Sequence, residues 1–182
     1  MIELFRIPEV ILSIGVLLVI IIDLYLQKHK YISFFLIQLL LVIASLYALT
    51  EVPQQNYISY EFSEFTRLIK FILLLGAIII FQYTYRHLNH LNNLKIEYFT
   101  ISILGLVGTI VMISAYSLLM LYLGIELLSL ALYALIGFNK HSGLSSEAAI
   151  KYYVLGAMSS GILLFGISLI SITFALNASS TS

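Results

Sequence analysis

Long apolar runs separated by short polar breaks make up most of the chain. A hydrocarbon core about 30 Å thick is spanned by about 20 mostly apolar residues in a helix. The first run of this kind extends from Pro8 to about Leu26, with Pro8 in the first turn, where its missing N–H leaves no bond unmade. Its uncharged part is Val10–Ile22, and Asp23 stands near its far end. A secretory signal peptide has a basic start and a small-residue cleavage site after the apolar run. Here Lys28, His29 and Lys30 follow the run, so the pattern reads as a retained anchor. The second run, Tyr31 to about Leu49, is uncharged and broken only by Gln38. Residues Glu51 to Glu64, with Pro53, Gln54, Gln55 and Asn56, form the most polar loop. A third run covers about Leu68 to Tyr85, with Lys70 expected to snorkel from its end.

Beyond this point the pattern is denser. Tyr98–Asn139 contains one charge, Glu126, in 42 residues. A single helix of that length would measure about 63 Å, roughly twice the membrane core. The chain must fold back, and Ser114-Ala115-Tyr116-Ser117 is the expected turn. That divides the region into a fourth span near Tyr98–Ile113 and a fifth near Leu118–Phe138. Asn139 to Gly143 is a polar loop, after which Ser145 or Ser146 is expected to cap a sixth helix. Glu147 suits the positive end of that helix and stands four residues before Lys151, the favoured order for an ion pair. The sixth span runs to about Phe174, and a Ser/Thr-rich tail, Asn177–Ser182, closes the sequence. The expected fold is all-α, a polytopic membrane protein with about six transmembrane helices.

Composition confirms the medium. Hydrophobic residues make up 61% and charged residues 10% of the 182, against about 25% charged in soluble domains. A soluble globule of this size has too much surface to hide so much apolar side chain, which excludes a soluble enzyme. Nine basic and nine acidic residues cancel, leaving no electrostatic footprint for nucleic acid. The absence of Cys excludes disulfides, thiolate metal sites and cysteine-held iron–sulfur clusters. Trp is also absent while Ile, Phe and Tyr abound, a bias that suits an AT-rich genome such as an organelle's. Lysine and arginine in short loops set orientation. Lys28, Lys30, Arg86, Lys95 and Lys140 fall on one side, and Arg6, Arg67 and Lys70 on the other. The first group is expected to face the cytoplasm or matrix, with both termini outside.

Glu126 is the sharpest chemical signal. It lies about 12 Å into its helix, close to mid-membrane, where an acid costs about 2.5–3.5 kcal/mol on insertion scales. Such residues face a bundle interior or water cavity and mark ion or proton paths. Tyr122, Ser129 and Tyr133 share its face at i−4, i+3 and i+7. The competing reading is a neutral glutamate that joins helices by hydrogen bonding. Lys151 is a second candidate for a proton path, or else a snorkelling charge paired to Glu147. Gly156, Ala157, Ser159, Ser160 and Gly161 form a small-residue face suited to close helix packing. His87 and His90 are spaced i, i+3 in a polar stretch with no further ligand, which reads as coincidence. No phosphate loop, nucleophile elbow or zinc motif is present.

Two stretches carry a resemblance: YLGIELLSLALYAL around Glu126, and EAAIKYYVLGAMSSGILLFGISL from Glu147 to Leu169. They resemble the subunit 2 family of respiratory complex I, the proton-pumping NADH:ubiquinone oxidoreductase, whose members are related to Mrp-type cation/proton antiporters. The similarity is strong over about 60 residues from Met112, thinner over Tyr98–Val111 and mostly hydropathic before that, although Pro8-Glu9 and Asp23 are compatible with it. The resemblance implies that Glu126 belongs to a membrane proton path and that Lys151 matches the lysine of an EAxxKY-type motif. It implies three leading helices in 1–97 and the first three helices of an antiporter-like repeat in 98–182. The lysine that pairs with the acid in this family lies on a later helix, and Ser117 stands where an acidic residue is common. The remaining helices are therefore expected on a second chain, with a truncated form as the alternative. NADH, FMN, iron–sulfur clusters and ubiquinone are expected elsewhere in the complex, this chain binding no cofactor and no metal. Expected partners are the other membrane-arm subunits and lipids, in the mitochondrial inner membrane. A structural or assembly subunit and an Mrp-type antiporter subunit are the alternatives.

Overall fold

The computed structural model describes residues 8–25, 30–50, 64–90, 96–139 and 142–180. These form six helices: α1 (Pro8–Tyr25), α2 (Lys30–Thr50), α3 (Glu64–His90), α4 (Ile96–Ile113), α5 (Leu118–Ile136) and α6 (Gly143–Ser180). Among the described residues, four stretches have the length and apolar character to cross a membrane. They are Tyr31–Thr50 of α2, Ile96–Ile113 of α4, Leu118–Ile136 of α5 and Gly143–Thr173 of α6. In α1 the apolar stretch is the shorter Val10–Ile22. α3 is 27 residues long and carries its charges toward its ends, leaving Phe71–Tyr85 uncharged. The polar loop anticipated over 51–63 lies outside the described residues.

α4 is the hub. It packs against α1, α2 and α3 on one side and α5 on the other, while α6 touches α5. The core joins Leu12 and Val16 of α1, Ile37 and Leu41 of α2, Leu74 of α3, and Phe99, Ile103 and Ile110 of α4. Near one end Phe34 stacks on Tyr85 at 3.8 Å, and Phe99 meets Phe34 and Phe81 edge-on at 5.2 and 5.5 Å. Such aromatic pairs add directional packing beyond their buried area. The polar clamp between α2 and α3 is Gln38, whose amide donates to Gln82 Oε1 at 3.0 Å and to the Ile78 carbonyl at 3.4 Å.

Burial falls off along the chain. Half of the α4 span is buried, about a tenth of α5 and none of α6. An apolar helix with no buried face belongs in lipid or against further helices. α6 contains 38 residues, about 57 Å at 1.5 Å per residue, so it exceeds the hydrocarbon core at one end or both.

Three boundaries of α5 and α6 and one side chain of α3 differ from the sequence reading. α6 begins at Gly143, because Ser142 supplies the cap: its Oγ accepts from the Ser145 amide at 3.3 Å. Ser145 does other work, donating its hydroxyl to the Ile136 carbonyl at 2.5 Å and tying α6 to the end of α5. α5 stops at Ile136, where the Gly137 amide closes back onto the Tyr133 carbonyl at 3.1 Å. The helix continues through Ser180, taking in most of the stretch read as a tail. Lys70 does not snorkel. It is completely buried, because packing with α2 places its side of α3 inward; the neighbouring core positions Ala48 of α2 and Leu74 of α3 are equally inaccessible.

Candidate functional site in α5 and its flanking helices

Helix α5 is held at both ends. Ser117 is its N-cap, with extended backbone (φ −105°, ψ 148°) and an Oγ that accepts from the Met120 amide at 3.2 Å. Ser117 thus satisfies one of the free amides every helix start exposes. The α4–α5 turn is the anticipated one, with the Ser114 amide bonded to the Ile110 carbonyl at 3.1 Å and the Ala115 amide to Met112 at 3.3 Å.

Between these ends α5 crosses α4 backbone to backbone. A Cβ on Gly124 would lie 2.8 Å from the Met112 amide nitrogen and 2.9 Å from the Gly108 carbonyl oxygen. A Cβ on Gly108 would lie 2.7 Å from the Leu128 nitrogen and 2.9 Å from the Gly124 oxygen. In lipid, where apolar side chains gain nothing by leaving their solvent, this close approach is what drives helix pairing. Sequence reasoning passed over the crossing. Its signal was present in Gly105-x-x-Gly108 and in Gly124, small residues inside apolar spans.

Glu126 lies two residues beyond the crossing, a rotation of about 200° on the helix, so it points away from α4. It is half-buried, and its Oε2 is fully enclosed with no hydrogen-bond partner among the described residues. The polar stripe expected around it resolves into separate roles. Ser129 donates to the Ile125 carbonyl at 2.8 Å, and so turns to its own backbone instead of the acid. Tyr133 crosses to α6, edge-on to Tyr153 at 6.0 Å, its hydroxyl filling the space a side chain on Gly156 would need. Tyr122 is half-buried on the same face.

Lys151 is not brought to Glu126. Its Nζ pairs with Glu147 Oε1 at 2.5 Å on the outer side of α6, with both side chains more than half exposed (68% and 59%). His87 stacks parallel to Tyr83 at 6.5 Å, while the side chain of His90 lies outside the described residues. An open cleft of about 420 Å³ separates the start of α5 from the second half of α6, lined by Ser117, Leu118, Leu119, Leu164, Ile167, Ser168 and Ser171.

Residues 115–177, which include Glu126, Lys151 and this cleft, match the family model of the transmembrane part of NADH:quinone oxidoreductase and Mrp antiporter subunits. Similarity to individual proteins reaches further toward the start of the chain. NADH-quinone oxidoreductase subunit N of Ruthia magnifica is 38% identical over 168 residues, 90% of this chain and 35% of that protein. The subunit N of Hydrogenovibrio crunogenus is 33% identical over 169 residues, with the same coverage. That of Neisseria gonorrhoeae is 46% identical over 105 residues, 58% of this chain and 22% of that protein. These relatives are bacterial and bear the name subunit N, where the sequence motifs pointed to subunit 2. The chain spans about a third of the length of the curated relatives it matches, and over that third it resembles the antiporter-like subunits of NADH:quinone oxidoreductase.

Proposed function

We propose that this chain is part of the membrane arm of a proton-translocating NADH:quinone oxidoreductase and contributes Glu126 to a proton path. One observation carries the reading: an acid at mid-depth of an apolar helix, with an enclosed carboxyl oxygen that no described group satisfies. A buried acceptor left without a partner costs about 1–3 kcal/mol. A glutamate serving only as helix glue would spend that acceptor on a neighbouring helix. One that exchanges protons needs it open to a mobile partner, a water molecule or an incoming cation.

The helices making up the rest of the relatives' length lie, in this reading, outside the 182 residues. They supply the cation that faces Glu126. Lys151, with its charge held by Glu147, has an accessory part at most. Quinone reduction and the redox carriers belong to other subunits, and this chain acts on protons alone. The support for subunit 2 is the pair of motifs around Glu126 and Lys151. The Ile-rich, Trp-free composition supports the mitochondrial inner membrane, and subcellular fractionation tests that placement.

The matching family model includes Mrp antiporters, so copurification separates the readings. Mild detergent extraction and affinity capture of the tagged chain is expected to recover a large assembly that oxidises NADH with a quinone acceptor. Capture of an assembly without that activity, showing sodium-dependent proton exchange, would assign the chain to the antiporters.

A further inference from the structure

The face of Glu126 can be followed across to α6. α5 and α6 run antiparallel and meet in two zones. In the first, Tyr133 reaches Tyr153 and Gly156. In the second, Leu118 and Leu119 share the cleft with Leu164, Ile167 and Ser168. Glu126 lies seven residues from Tyr133 and seven from Leu119, on the same side of α5 as both, since seven residues are nearly two full turns. It therefore faces α6 midway between the two zones. The midpoint on α6 falls at Ser160.

Burial identifies the same residue independently. From Ala157 to Phe165 every α6 side chain is exposed except Ser160, which is half-buried. Its hydroxyl donates to the Gly156 carbonyl at 2.8 Å, which leaves the oxygen's lone pairs able to accept. Oε2 of Glu126 is enclosed and has no partner among the described residues.

We propose that Ser160 is the hydroxyl that faces Glu126 across the α5–α6 interface and, on turning away from Gly156, hydrogen-bonds its carboxylate, positioning it for proton exchange. The inference rests on the proton-path reading of Glu126 and adds a specific partner to it. With the proton on Glu126, Ser160 keeps its bond to Gly156 and leaves Oε2 of the acid without a partner among the described residues, the arrangement in this structure. With the proton gone, the serine turns about χ1 and donates to the carboxylate. The hydroxyl thus engages the charged form through one rotamer change, and the proton itself leaves by another route. Gly156 permits this arrangement, because a side chain there would push Tyr133 out and part the helices above Ser160.

The test uses the whole membrane assembly and exploits the absence of native cysteine from this chain. Glu126→Cys with Ser160→Cys is expected to form a disulfide on mild oxidation, read by mass spectrometry. Glu126→Cys with Ser159→Cys, on the exposed side of α6, is expected not to. In coupled vesicles Ser160→Ala is expected to slow proton transfer about fivefold, the factor for one hydrogen bond. Ser160→Thr restores the rate, and Ser160→Ala adds nothing in a Glu126→Gln background. No cross-link at 160, or equal cross-linking at 159, overturns the placement. Undiminished pumping in Ser160→Ala, or an effect that simply adds to that of Glu126→Gln, overturns the role. Unaltered pumping in Glu126→Gln alone is a separate failure, that of the proton-path reading, and removes the role with it whether or not the cross-link forms.

Discussion

Replacing Gly124 with alanine puts one methyl group into the α4–α5 crossing. The added Cβ would stand 2.8 Å from the Met112 nitrogen and 2.9 Å from the Gly108 oxygen, where ordinary contact begins at 3.4 Å. Both obstacles are backbone, so no side chain can swing aside. The helices must separate by about half an ångström along their tightest contact. Overpacking of this kind costs about 1–3 kcal/mol, and in lipid no compensating hydrophobic gain offsets it. Gly161→Ala is the control, since nothing lies within 4 Å of its Cβ position; alanine there gains about 0.5–1 kcal/mol from helix propensity. Thermal unfolding in mild detergent, followed by retention of the folded band after heating, measures both variants. Gly124→Ala is expected to lower the midpoint and Gly161→Ala to hold or raise it. Equal midpoints for the two, or a more stable Gly124→Ala, would refute the backbone contact.

Further outcomes follow from other parts of the fold. Lys70→Ala empties a fully buried site and is expected to cost about 2–5 kcal/mol, seen as poor accumulation of the chain in membranes; a snorkelling lysine would tolerate the change. Ser117→Ala removes the α5 cap and is expected to cost about 1 kcal/mol, with faster hydrogen exchange at Met120, whereas Ser117→Asp keeps the cap and the protection. Lys151→Ala breaks an exposed pair and is expected to change stability by less than about 1 kcal/mol and to slow proton transfer less than Glu126→Gln. Single cysteines at 28, 86 and 140 are expected to react with impermeant thiol reagents from the matrix or cytoplasmic side, with position 140 labelling only from the opposite side reversing the topology.

The helices were legible because bilayer thickness fixes their length and charged residues mark their ends. The fold-back at 114–117 followed from the same measure, since 42 uncharged or nearly uncharged residues cannot cross once. Lys70 was misread because its depth along α3 suits snorkelling, and only packing of α3 on its neighbours turns it inward. The start of α6 was misread because four of the five residues 142–146 can cap a helix, and the choice of Ser142 over Ser145 depends on a bond from Ser145 to Ile136 in the preceding helix. The stripe around Glu126 was visible in the heptad spacing. What faces it was not, because the register between two antiparallel helices is set by contacts such as Tyr133 on Gly156, which no periodicity within one helix encodes.

The central claim is that Glu126 carries a proton, and Glu126→Gln tests it most directly, because the change keeps the side chain's volume and its hydrogen-bonding ends. The measurement is proton uptake by sealed vesicles during NADH oxidation, alongside the amount of assembled complex. The expected result is normal assembly with proton transfer well below the unmodified level and partial activity in Glu126→Asp. Full assembly with an unmodified pumping rate in Glu126→Gln would contradict the account and leave the acid a structural residue.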